Sequence, residues 1–185
     1  MATTNWVLAV PDQERLVKAA FEGTSRILAT AIAAHLATLR PLHTHVSNHI
    51  LAKEFAYCKY SKFRVGAALL SAGGEIIKGA NVENASYGGT ICAERTAIVK
   101  AVSEGTRAFI GLAVVTDVSS PISPCGMCRQ VLREFCTLDM PIYMVPGDYD
   151  ERVAQGILDG GVQETSLREL LPYSFGPEDL ELPRK

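Results

Sequence analysis

Apolar residues recur at helical spacing early in the chain. Leu28, Ile32, Leu36 and Leu39 fall three or four positions apart until Pro41 interrupts them, which predicts a helix ending before the proline. A second helical stretch follows, with Val46, Ile50 and Phe55 on its inward stripe, and leads into a tight connection over Tyr57-Cys58-Lys59-Tyr60-Ser61. The period then changes. Arg64 to Leu70 predicts a strand, Gly73-Gly74 a turn, and Glu75 to Glu83 a second strand pairing back as a hairpin. Helices and strands alternate from there: Cys92 to Glu104 as a helix closed by Gly105, Phe109 to Val115 as a buried strand, Cys125 to Phe135 as a helix, and Pro141 to Val145 as a strand. The stretch from Gly147 to Gln163, rich in Gly and Asp, predicts a loop and a strand, and Leu167 to Leu171 a short helix. Such interleaving implies a layered α/β domain, a sheet with helices on both faces.

Composition narrows the possible functions. Of 185 residues, 48% are hydrophobic and 21% charged, enough apolar material to close a core without disulfide staples. A net charge of -2 and a pI near 6.1 supply no broad positive field, so a nucleic-acid partner is not expected and small molecules are. The opening Met1-Ala2-Thr3-Thr4-Asn5 lacks a basic region, and the apolar run from Trp6 to Val10 is too short for a signal peptide or membrane span. A cytoplasmic protein with no membrane partner is therefore expected.

The cysteines carry the chemistry. Five in a chain of this size could form a disulfide set with one left over, but their spacing favours a metal site. Cys125-Gly126-Met127-Cys128 follows Pro124, so two thiols sit at i and i+3 on the first turn of a predicted helix, facing one way. Alone, this pair is equally a redox couple or two packed thiols. Cys92 opens another predicted helix, however, and three thiolates can converge where two helix N-termini favour the anionic form. Three protein ligands leave one position open, the catalytic rather than the structural zinc pattern. His43, His45 and His49 are the candidates to close the set, against a reading as solvent-facing histidines. Cys58 and Cys136 are expected as buried thiols.

Glu94, two residues after Cys92, could reach a metal-activated water without ligating the ion, and a carboxylate there can accept and return a proton. The plainer alternative is a first-turn glutamate complementing the helix dipole. Arg95 shares the helical face of Cys92. Three thiolates around Zn2+ sum to a net negative charge, so a guanidinium that draws charge off sulfur would help; the alternative is a surface arginine.

Cys92-Ala93-Glu94 with Pro124-Cys125-Gly126-Met127-Cys128 resembles the all-cysteine form of the zinc-deaminase signature. Phe63-Arg64-Val65-Gly66-Ala67-Ala68-Leu69, Asn81-Val82-Glu83-Asn84-Ala85, Ile91 to Ala97 and Leu171-Pro172-Tyr173-Ser174-Phe175-Gly176-Pro177 are similar to the small homotetrameric cytidine deaminases of pyrimidine salvage. The resemblance spans Ile50 to Leu180. It implies a three-layer α/β/α sandwich around a mixed sheet of about five strands, with residues 47–185 as the deaminase domain and residues 1–46 as a partly helical N-terminal extension. The implied reaction is hydrolysis of cytidine or deoxycytidine to uridine or deoxyuridine and ammonia. Glu94 takes a proton from water on the zinc ion, hydroxide attacks C4 of the base, and Glu94 returns protons to N3 and the amine.

By the same resemblance Asn81 and Glu83 bind the ribose 3′-hydroxyl, consistent with i and i+2 sharing one strand face. Phe63 packs near the nucleoside, with plain core as its alternative, and the backbone of Ala93 holds the base carbonyl. Tyr87 and Phe175 reach into a neighbouring subunit's site, which makes a homotetramer part of the enzyme. Three departures stand out: Lys59 replaces a usual proline, residues 23–47 look like an insertion into or ahead of the first helix, and the stretch from Gly147 to Gly161 is longer than usual. Rival readings are a deaminase of another small aminated substrate such as blasticidin, and a zinc-stabilised module without turnover.

Overall fold

A computed structural model describes residues 11–13, 15, 16 and 52–183. The helix predicted between Leu28 and Pro41, with Val46, Ile50 and the three candidate histidines, lies outside these. Five strands form one sheet: β1 (Val65–Ser71), β2 (Ile76–Ala80), β3 (Phe109–Thr116), β4 (Pro141–Val145) and β5 (Gln163–Ser166), in the order β2-β1-β3-β4-β5. The sheet is mixed. β1 runs antiparallel to β2 and β3, β3 is parallel to β4, and β4 is antiparallel to β5. The helices are α1 (Ala93–Ser103), α2 (Gly126–Phe135), α3 (Tyr149–Ala154), α4 (Leu167–Leu170) and α5 (Pro177–Leu180).

The central strands are buried on both faces, and their two-residue period sorts side chains between two cores. Ala67, Leu69, Leu112, Val114 and Ile142 point to one side, where Ala93, Ala97, Ile98 and Ala101 of α1, Leu132 of α2 and Leu167 of α4 meet them. Ala68, Leu70, Ala113, Val115, Tyr143 and Val145 point to the other. There Leu16, which with residues 11–13 and 15 is helical, is 0% exposed, and Arg15 donates to the Gly74 carbonyl at 3.0 Å. The N-terminal residues thus contribute to the core, in the part of the chain read as an extension.

Two glycines fix how α1 sits. A Cβ on Gly79 would collide with the Ala93 carbonyl oxygen and the Ala97 nitrogen, so the missing side chain lets α1 rest directly on β2. At the other end Gly105 takes φ 93°, the left-handed stop expected from its place in the sequence.

Several expectations need correction. Phe55 belongs to a 3₁₀ turn (Ala52–Phe55) and is 63% exposed, so it is no part of an inward stripe. β2 ends at Ala80, and beyond it only Val82 bridges, to Tyr57 and Ile91. Asn81 and Glu83 therefore do not extend from a continuous strand. The Gly- and Asp-rich stretch holds the helix α3, and the strand β5 begins only at Gln163. Cys136 is buried as expected, whereas Cys58 is only half-buried on its loop.

Candidate metal centre and active site

The two helices that abut at the sheet's end begin in the same way. Cys92 is the N-cap of α1 and Cys125 the N-cap of α2, both in extended backbone conformation and neither using its side chain to cap the helix. Cys128 follows in the first turn of α2 and is buried. Both thiols therefore lie where helix dipoles and unpaired N–H groups favour negative charge. The Cys92 and Cys125 sulfurs are 3.8 Å apart and those of Cys125 and Cys128 3.4 Å apart. Sulfurs bound tetrahedrally to one zinc ion are about 3.8 Å apart, so a small inward or outward shift of each thiol suffices to hold Zn2+. Among the described residues this metal-ligating cluster has three members, Cys92, Cys125 and Cys128. A soft, all-sulfur set of three suits zinc with an exchangeable fourth position.

The surroundings tune the thiols. The hydrogen bond with Cys128 pulls the Cys92 thiol well below its ordinary range, against the cost of burial and with help from Arg95. Cys128, as the other partner of that bond and buried beside Glu94, is pushed up. Arg95 donates to the Thr90 carbonyl at 3.2 Å and to the Cys92 sulfur at 3.7 Å. Burial opposes its charge, yet hydrogen bonds to Cys92 and Cys128 raise its pKa overall. Its buried Nε has no partner among the described residues. The guanidinium thus joins the sulfur cluster to the Thr90 carbonyl.

Glu94, on the first turn of α1, is only 3% exposed. Burial raises its pKa and the neighbouring Cys92 adds to the rise, while a hydrogen bond with Cys128 works the other way. A carboxyl group with a raised pKa beside a metal-ligating cluster is suited to taking up and releasing a proton. Ala93, fully buried at the first position of α1, has an N–H with no intrahelical acceptor.

The residues read as nucleoside contacts form a second group. The Asn81 side chain accepts from the Val65 N–H at 2.9 Å and donates to the Phe63 carbonyl at 2.8 Å, which ties Phe63 to the end of β2. Glu83 accepts from the Tyr60 N–H at 2.7 Å and the Ser61 N–H at 3.2 Å; a hydrogen bond with the Ser61 side chain, above all, and then these backbone bonds hold its pKa below the usual range, against the cost of burial. A carboxylate offers about four acceptor positions and an amide three or four in all, so both side chains keep capacity for a hydroxyl. The Tyr60 ring meets Tyr87 edge-on at 5.8 Å. The sequence marks Tyr60 only as part of the tight connection, because a loop without periodic signal does not reveal its contact with Tyr87. Phe175 is 61% exposed, and its carbonyl accepts from Gln130 of α2 at 3.2 Å. The structure therefore places the cysteines, Ala93, Glu94 and Arg95 together, Phe63 with Asn81 and Tyr87 with Tyr60, and leaves Phe175 facing outward.

Three thiols and a buried glutamate at paired helix N-termini, on a mixed five-stranded sheet, define a zinc-dependent deaminase of the Cys-Ala-Glu, Pro-Cys-x-x-Cys type. Residues 41–144 match the family described as the cytidine and deoxycytidylate deaminase zinc-binding region, and the chain belongs to it. Cytidine deaminase from Halalkalibacterium halodurans is 49% identical over 135 residues, 73% of this chain and 94% of that protein. Its counterpart from Sporosarcina psychrophila is 51% identical over 129 residues, 70% of this chain and 87% of that protein. The crystal structure of cytidine deaminase from Burkholderia pseudomallei matches with a TM-score of 0.58 at 42% identity, covering 67% of this chain and 91% of that one.

Proposed function

We propose that the protein hydrolyses cytidine and deoxycytidine to uridine and deoxyuridine with release of ammonia. The burial of Glu94 beside the three-thiol cluster carries this reading, and the identity with bacterial cytidine deaminases supports the substrate. Cys92, Cys125 and Cys128 would hold Zn2+, which would supply Lewis-acid activation of water near neutral pH. Glu94 accepts a proton from the attacking water and delivers protons to N3 of the pyrimidine and to the departing amine. Its burial excludes bulk water from the transfer and keeps the carboxyl able to carry the proton between steps. Arg95 draws charge from Cys92, which limits the net negative charge that three thiolates bring to the nucleophile. The Ala93 N–H receives the base carbonyl, Phe63 packs on the nucleoside, and Asn81 with Glu83 receives the ribose 3′-hydroxyl.

The working unit in this reading is a homotetramer, acting in the cytoplasm in pyrimidine salvage. Tyr87 and Phe175, 74% and 61% exposed, are the large aromatics that would complete a neighbouring site. No helix among the described residues is long and apolar enough to cross a membrane. An ultraviolet assay of the purified protein with cytidine, deoxycytidine, cytosine and blasticidin tests the substrate. Turnover of both nucleosides is expected, and turnover of blasticidin alone would replace this reading.

A further inference from the structure

Arg129 follows Cys128 on α2 and uses its whole guanidinium inside the chain. Its Nε donates to the Pro124 carbonyl at 2.6 Å, one terminal nitrogen donates to the Ser123 hydroxyl at 2.7 Å, and the other donates to the Leu170 carbonyl at 2.7 Å. Ser123 and Pro124 are the two residues immediately before Cys125. Leu170 ends α4, immediately before the segment that carries Phe175. One planar, rigid fork thus holds the approach to a metal-ligating cysteine and the start of the C-terminal segment from the helix that supplies another ligand.

We infer that Arg129 is a positioning residue for the metal centre, fixing Cys125 relative to Cys128 through its grip on Ser123 and Pro124. The chemistry requires such a support. Cys125 is exposed and stands at an N-cap without a side-chain capping bond, so its own packing does little to set its sulfur. Two thiols at i and i+3 bind one ion only if the N-cap backbone keeps its angle to the helix, and the bonds to Ser123 and Pro124 fix the two residues that lead into that cap. A lysine cannot replace the fork, because a single ammonium cannot meet three diverging acceptors in this geometry.

This inference rests on the three cysteines binding zinc, and zinc content of the wild-type protein tests that separately. The experiment follows release of zinc to a colorimetric chelator from the zinc-loaded full chain, alongside thermal unfolding, for Arg129→Ala, Arg129→Lys and Arg133→Gln. Arg133 also lies on α2 and pairs with Glu178 of the C-terminal segment, and among the described residues no hydrogen bond joins it to Ser123 or Pro124. Loss of an outer-shell support typically weakens a metal site about 10- to 100-fold, so Arg129→Ala should release zinc at least about tenfold faster than wild type. Arg129→Lys should fall between the two, and Arg133→Gln should release zinc at the wild-type rate whatever its melting temperature. Wild-type release from Arg129→Lys and from any folded Arg129→Ala overturns the inference. So does equal acceleration by Arg133→Gln, which would reduce Arg129 to a general stabiliser of α2. A wild-type protein that binds no zinc would instead defeat the metal reading itself.

Discussion

Cys92 and Cys125, 33 residues apart in the chain, both stand at helix N-caps and bring their sulfurs to 3.8 Å. The sheet makes this possible: β3 is parallel to β4 and α2 fills the connection between them, so α2 begins on the same side as α1 and beside its start. Each helix then presents a thiol at its positive end, and α1 adds Glu94 within its first turn.

Division of labour between the cysteines and Glu94 predicts a separation of metal binding from turnover. Glu94→Gln should retain stoichiometric zinc and the wild-type fold, because Cys92, Cys125 and Cys128 are untouched. The amide cannot carry protons, so kcat should fall by at least about 100-fold. Metal analysis beside steady-state kinetics on cytidine checks both halves, and near-normal turnover by the zinc-loaded variant would remove Glu94 from the role of base.

Leu16 provides a test of the N-terminal residues. It is completely buried against Ala68, Leu70, Val115 and Val145, the core on the face of the sheet away from α1. Truncating a leucine in such a site costs about 2–5 kcal/mol, from lost transfer energy and the cavity left behind. Leu16→Ala should therefore lower the urea midpoint as much as a comparable truncation of the sheet would. An unchanged midpoint would show that residues 11–16 are dispensable for the core.

The metal centre was far more legible in the sequence than this packing. Cys125 and Cys128 at i and i+3, with Cys92 opening another helix, constrain geometry by spacing alone, and the strands announce themselves by short apolar runs. Leu16 carries no comparable mark: with Val17 it sits between the charged Arg15 and Lys18 and competes with the clearer stripe from Leu28 to Leu39. The early end of β2 was hidden for a different reason. The Asn81 side chain bonds the Val65 N–H and the Phe63 carbonyl, a local substitute for strand pairing that residue type alone does not reveal. Helix α3 was masked by the glycines that flank it, Gly147 before and Gly156 after, which read as loop although Tyr149–Ala154 between them is helical.

An ionic cluster beside Phe63 gives the fold a defined acid sensitivity. Asp117 accepts from Arg64 at 2.9 and 3.0 Å and pairs with Lys53 at 3.2 Å. Burial acts to raise the Asp117 pKa, but its hydrogen bonds with Arg64 and Lys53 prevail and hold it below its ordinary value of 3.8. A depressed carboxylate stabilises the fold above the unfolded pKa, and that stability fades as pH falls through the lower, folded value. Asp117→Asn should thus be less stable than wild type at pH 7, by about 1–3 kcal/mol for the partners it strands. The gap should narrow as pH drops below about 4. Urea titrations of both proteins from pH 7 to pH 3 measure it, with zinc loss affecting both alike, and a constant gap would rule out this linkage.

The proposed sharing of active sites between subunits makes the most demanding prediction. Phe175 is held from behind by Gln130, yet its ring remains 61% exposed, and Tyr173 beside it is exposed with a left-handed backbone at φ 57°. A strained, solvent-facing aromatic segment suits a surface that is covered only on assembly. If Phe175 completes a neighbour's site, Glu94→Ala and Phe175→Ala each impair every site of a uniform oligomer, but through different chains. Mixing the two unfolded variants and refolding them together then yields some sites that combine an intact Glu94 with an intact Phe175 of the partner subunit, because closed symmetry repeats the same interface. Activity above the sum of the separately refolded variants is the expected result, rising with the fraction of hybrid oligomers seen by native mass spectrometry. Hybrids that recover nothing, or a wild-type protein active as a monomer at assay concentration, would confine Phe175 to its own chain.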